Sequence, residues 1–264
     1  VYSFANGDFS EGDVDAKRTS TSQDSEGSFN GWNYVLDQII FGTDTIGGYA
    51  TPTNETWATA QPDISQSDSE DAGYPAGDGV FAANSLDESY FAIKNIVTDQ
   101  KDGSQGDVLD ISLNLDHTNE KRTYRGPAII SQDEYNLRAG DKISLDWRAI
   151  KVNDAYDVWG YLVKTDGSDN IIPLIDAEGE NDNSTSWSST LIGNQDYVEI
   201  TSANAGNYKF VFVAGSWDTH GGGTQVGARF QIDNIKLTTV DGTAPVAFGG
   251  IDFGGGSVSP LAAQ

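Results

Sequence analysis

The sequence has no cysteine and no methionine, only two histidines, and seven prolines in 264 residues. Without cysteine there is no disulfide framework, no thiol nucleophile and no Cys-ligated zinc. Cations are scarce as well. Fifteen Lys and Arg stand against forty Asp and Glu, for a formal charge of −25 at pH 7. A field of that sign repels phosphate backbones and anionic lipid, so the composition argues against nucleic-acid partners and membrane surfaces. No apolar run approaches the ~18 residues that a membrane-spanning helix needs, so no direct membrane insertion is expected. The chain starts at Val1 and shows no signal-peptide pattern, which points to a segment of something longer.

What is present is a chain large enough for one substantial core, with 30 glycines as punctuation. The clearest periodicity begins at Leu109. Leu109, Ile111, Leu113 and Leu115 alternate with Asp110, Ser112, Asn114 and Asp116. Ile143, Leu145, Trp147 and Ala149 alternate with polar residues, and Tyr208, Phe210, Phe212 and Ala214 repeat the same spacing. A period of two puts one set on a buried sheet face. Residues 156–163 are apolar on both faces, as in a central strand, and Val226, Ala228, Phe230 and Ile232 make another strand that continues to Leu237. Earlier, 1–9 and 32–41 carry strand-like residues, while 10–28 and 42–79 read as loops. Convincing amphipathic helices are few. The reading is all-β: an antiparallel β-sandwich of the jelly-roll kind over 1–240. Residues 99–107 are a turn or a point of domain insertion, and 241–264 are a Gly/Pro/Ser-rich linker or docking tail.

The catalytic inventory is thin. His117 and His220 sit in polar stretches, and no Walker, dinucleotide, His-Glu-x-x-His or Gly-x-Ser-x-Gly pattern occurs. Paired carboxylates for glycoside hydrolysis have candidates in Asp146, Asp157 and Glu199, each in an outward register or at a strand end. Calcium is a better chemical match, because hard oxygen donors gather near turns. Asn6-Gly7-Asp8 with Glu11 opens the fold, and Asp233-Asn234 interrupts the last strand, where the apolar register slips from Ile232 to Ile235. If the first and last strands pair, these stretches meet, making Asp8, Glu11 and Asp233 candidate Ca²⁺ ligands. Two other acidic clusters, 63–71 and 176–182, read as solvated loops. Trp57, Trp187 and Trp217 sit in polar contexts and are the candidates for stacking on sugar rings.

Asn6-Gly7-Asp8-Phe9 followed by Gly31-Trp32, and the closing Phe230-Gln231-Ile232-Asp233-Asn234-Ile235-Lys236-Leu237, resemble the ends of jelly-roll carbohydrate-binding modules. That resemblance implies that Asp8 and Glu11 supply opening-strand calcium ligands and Asp233 the closing-strand ligand. The segments Arg125-Gly126-Pro127-Ala128-Ile129, 139–147, 154–162 and 206–218 form a series similar to a jelly-roll domain of large calcium-dependent, RTX-like bacterial adhesins. In those proteins a ligand-binding domain can interrupt this domain in sequence. The resemblance implies a secreted, cell-surface, non-catalytic module stiffened by Ca²⁺. Its partners would be neighbouring domains of the adhesin chain, and it would position binding domains. A carbohydrate-binding module is the alternative, with glycan as its partner. A polysaccharide hydrolase or lyase is the second alternative.

Overall fold

The computed structural model describes residues 2–3, 7–19, 25–39, 41–52, 89–116, 123–168, 170–179, 186–217, 225–242 and 247–248. Trp57, His117, His220, the 63–71 cluster, residues 180–182 and most of the tail lie outside the described residues.

Among the described residues seventeen strands follow in chain order. The first six are short: β1 (Tyr2–Ser3), β2 (Asp15–Thr19), β3 (Glu26–Phe29), β4 (Trp32–Val35), β5 (Thr45–Ile46) and β6 (Tyr49–Ala50). Then come β7 (Tyr90–Asp99), β8 (Gln105–Asp116), β9 (Thr123–Ser131), β10 (Glu134–Leu137), β11 (Lys142–Lys151) and β12 (Ala155–Lys164). The last are β13 (Ile171–Gly179), β14 (Val198–Glu199), β15 (Gly206–Trp217), β16 (Gln225–Thr238) and β17 (Ala247–Phe248). All strand pairings among the described residues are antiparallel. One sheet runs β14-β11-β16-β8-β7-β2, with β1 also on β16; the other runs β13-β12-β15-β9-β4-β3, with β10 and β17 attached. Strands far apart in sequence are therefore neighbours, as a jelly-roll sandwich requires.

The alternating residues do what the period of two predicts. Leu109, Ile111, Leu113, Phe230, Ile232, Phe210 and Phe212 are all fully buried between the sheets. Trp32 anchors one end, with ring centroids 5.8 Å from Phe9 and 6.0 Å from Phe212. Burial of this set supplies the main driving force, at about 25 cal/mol per Å² of apolar surface.

A second hydrophobic cluster lies on the outer face of the eight-stranded sheet. Trp159, Tyr161, Val163, Val211, Val213, Ala128 and Ile130 are covered there by Ile39 and Ile46 from the segment after β4. The Ile39 amide donates to the Arg125 carbonyl and fixes the segment in place. This layer explains why β12 is apolar on both faces. Asp157 keeps the outward register, on the same face of β12 as Trp159, but it is 2% exposed, which corrects its reading as a solvated group.

The 99–107 stretch spans the end of β7, the β7–β8 turn and the start of β8, a hairpin closed by Gln100 N–H donating to the Ser104 carbonyl at 2.7 Å. In the tail, β17 pairs with β10. Among the described residues no helix is long and apolar enough to cross a membrane.

Candidate functional site

The opening and closing stretches do meet. Tyr2 pairs with Leu237 across β1 and β16, and the Ile235 amide donates to the Gly7 carbonyl at 3.1 Å. The register slip at Asp233-Asn234 is a bulge. Ser144 faces Lys236 and Asp146 faces Asp233, leaving Asn234 extra, with φ +52°. Asparagine tolerates that left-handed conformation better than most residues.

Asp233 is 1% exposed. Burial, with the carboxylates of Asp146 and Asp8 nearby, pushes its pKa up to about 7, against the opposing pull of the Asn234 amide and Lys236. The Asn234 backbone N–H donates to Asp233 Oδ1 at 2.7 Å, and Asn234 Nδ2 reaches both Asp233 Oδ2 (3.1 Å) and Asp146 Oδ2 (3.2 Å). Lys101 Nζ stands 3.7 Å from Asp146. Of the three predicted ligands, Asp8 and Asp233 are therefore brought together. Glu11 accepts from Asn30 Nδ2 at 3.0 Å. Asp146, which the sequence suggested only as a hydrolytic acid, is the companion that was missed; its signal was the strand register opposite the bulge. The donors are hard oxygens and suit Ca²⁺ in type. Among the described residues no three acidic side chains converge closely enough to hold an ion.

The tryptophans divide. Trp187 Nε1 donates to the Asp99 carbonyl at 2.6 Å, and the Arg148 guanidinium sits 4.6 Å from its ring centre. The side chain clasps the β7–β8 hairpin, and one ring face is taken. Trp217 ends β15, and its side chain is outside the described residues. Trp147 packs edge-on against Phe230 at 6.4 Å, with its N–H on the Thr190 carbonyl.

Among the described residues a concavity of ligand size lies elsewhere. A groove of about 510 Å³ runs beside β3, β4 and the β5–β6 hairpin. Its lining includes Glu26, Ser28, Asn33, Tyr34, Thr45 and the two hairpin glycines, and it ends at Ile130. Its size falls within the ~300–1,000 Å³ range of small-molecule sites. The local sequence explains its shape. Gly27 faces Tyr34 across the β3–β4 pair, and a methyl group there would overlap the tyrosine ring. The hairpin tip, Gly47-Gly48, has φ +59° and +86°, the left-handed pair that a two-residue loop demands. Gln132 Nε2 donates to Asn33 Oδ1 at 3.1 Å and holds that amide in position. Among the described residues, one carboxylate, one amide and the Ser28 and Thr45 hydroxyls therefore lie along a channel with no Lys, Arg or His, while the Tyr34 side chain packs toward the core. Sequence reasoning missed this groove, because none of its residues is unusual alone.

No protein-family model and no curated protein matches the chain. Solved structures do match it at low identity. The carbohydrate-binding module TmCBM61, solved with β-1,4-galactotriose, matches at 15% identity and a TM-score of 0.30, over 55% of this chain and 81% of that one. A structure from a study of promiscuous carbohydrate-binding modules of the β-sandwich superfamily matches at 8% and 0.32, over 60% and 55%. An exo-β-agarase matches at 10% and 0.32, over 60% of this chain and 23% of that one. The chain is a β-sandwich with a low-identity likeness to such modules.

Proposed function

We propose that this chain is a non-catalytic β-sandwich module that binds a saccharide in the β3–β4 groove. One observation carries the reading. The groove presents a carboxylate, an amide and hydroxyls in a channel of ligand size, and hydroxyl-rich ligands need such mixed donors and acceptors. Among the described residues a single acid, Glu26, lines it. Glycoside hydrolysis needs two carboxylates about 5–10 Å apart, so the lining supports binding without turnover.

Stiffening by Ca²⁺ at the end where Asp8 and Asp233 meet, the reading that also named Glu11, belongs to the same proposal. So does placement in an extracellular, cell-surface adhesin chain, where the module would sit beside neighbouring domains. The sequence resemblance supports both.

Affinity electrophoresis of the full chain against a panel of soluble polysaccharides tests the binding role. At least one should retard it, and Asn33→Ala should weaken that interaction about tenfold. Free migration through every polysaccharide would remove the reading. Product release from any of them would replace it with a catalytic one.

A further inference from the structure

We infer that the groove selects neutral saccharides, with Gly48 as its steric gate and Glu26 as its charge filter; this rests on the saccharide reading above. The two hairpin glycines have different surroundings. A methyl group on Gly47 would come within 3.1 Å of Ile130 Cγ2 and 3.2 Å of its Cδ1, so Gly47 lies flush on the sheet. A methyl group on Gly48 would meet no atom within 4 Å, although Gly48 lines the groove. The hairpin is not loosely held. Ile46 is 1% exposed in the outer cluster and pairs with Tyr49 across the tip. The tip is therefore a fixed rim with an unfilled position. The space next to Gly48 is available to a ligand because residue 48 has no side chain.

The charge filter follows from the lining. Among the described residues Glu26 is the single charged one there, it is exposed, and none of them offers a cation within the groove. The formal charge of −25 adds to the same sign. A uronate or sulfated ring would place its anion against Glu26, whereas a neutral ring offers hydroxyls that the carboxylate accepts. Two like charges about 6 Å apart in a water-filled channel lower affinity about threefold to tenfold.

The test uses the full chain in calorimetric titrations. The probes are neutral hexasaccharides (xylo-, cello- and galacto-) and two anionic ones, hexagalacturonate and a sulfated galactan oligomer. The wild type should bind a neutral probe and bind both anionic probes at least about threefold more weakly. Glu26→Gln should shrink that ratio toward one. Gly48→Asn, which the left-handed backbone tolerates, should weaken the neutral probe about tenfold with an unchanged melting temperature. Equal binding of neutral and anionic probes would overturn the charge filter. Unchanged affinity in a folded Gly48→Asn protein would overturn the gate. Either failure leaves the groove a saccharide site. Binding of none of the probes, together with free migration through every polysaccharide of the electrophoretic panel, would remove the underlying reading as well.

Discussion

The buried Asp233 makes a sharp prediction about pH. The unfolded chain protonates this carboxyl near 3.8, and the folded chain does so at about 7. Folding therefore takes up a proton across that interval. The stability linked to this group is full below pH 3.8 and is lost as pH rises through 7. A shift of roughly three units corresponds to about 4 kcal/mol. Replacing Asp233 by Asn removes the charge. It also turns one amide hydrogen toward the Asn234 Nδ2 donor, which costs about 1 kcal/mol. In chelator at about pH 8.5, Asp233→Asn should be the more stable protein by about 3 kcal/mol. For a domain of this size that is about 6–12 °C in melting temperature. Near pH 4 the advantage should vanish. Circular dichroism melts of both proteins from about pH 4 to 9 read this directly. Parallel profiles would refute the reasoning, because Asp233 would then not be the group whose ionisation the fold opposes. Millimolar calcium at pH 8.5 supplies the second arm: the wild type should gain stability and the Asn variant should gain much less.

Other expectations follow from single contacts. At Gly215 a methyl group would press on the Asp157 carbonyl and stand 2.9 Å from the Tyr124 carbonyl; Gly215→Ala should cost about 1–3 kcal/mol in denaturant unfolding. Asp110 is 0% exposed and bonded to Arg229, with Nε at 2.9 Å. Arg229→Met should therefore destabilise by on the order of 3 kcal/mol, and adding Asp110→Leu should recover part of the loss. Trp187→Ala should cost about 1–2 kcal/mol and speed amide exchange in the 99–105 hairpin. It should leave saccharide affinity within about twofold; loss of binding would make Trp187 a ligand platform instead of a clasp.

The long strands were legible in the sequence because alternation is local. Leu109 to Leu115 and Tyr208 to Ala214 alternate within one strand, and each set is buried as a set. The outer layer was not legible. Ile39 lies near the end of a strand-like stretch and Ile46 sits in one that reads as loop, and their burial depends on Trp159 and Val211, more than a hundred residues away. Trp159, ambiguous by pattern, is 3% exposed because Phe41 packs against it at 5.0 Å. The cation-type cluster was half legible. The slip at Asp233-Asn234 shows in the sequence, but its partner Asp146 depends on which strand lies alongside. The groove was invisible for a different reason. Glycine marks turns everywhere in this chain, and only the packing shows that Gly47 is pressed against Ile130 and Gly48 is open.

The position of β16 has a consequence for how the molecule is made. This strand, at residues 225–238, lies between β11 and β8 in the middle of its sheet. A ribosome therefore delivers the central plank of that sheet after all the sheet's other strands. Until it arrives, β8 and β11 each present an open edge above an uncovered apolar face that includes Ile111, Leu113 and Ile143. Such edges invite pairing with other chains. Products truncated before residue 225 should accumulate as aggregates and not as smaller soluble domains. For the same reason, the sheet should close only once residue 238 has emerged, and slowly, since it closes through contacts of very long sequence separation.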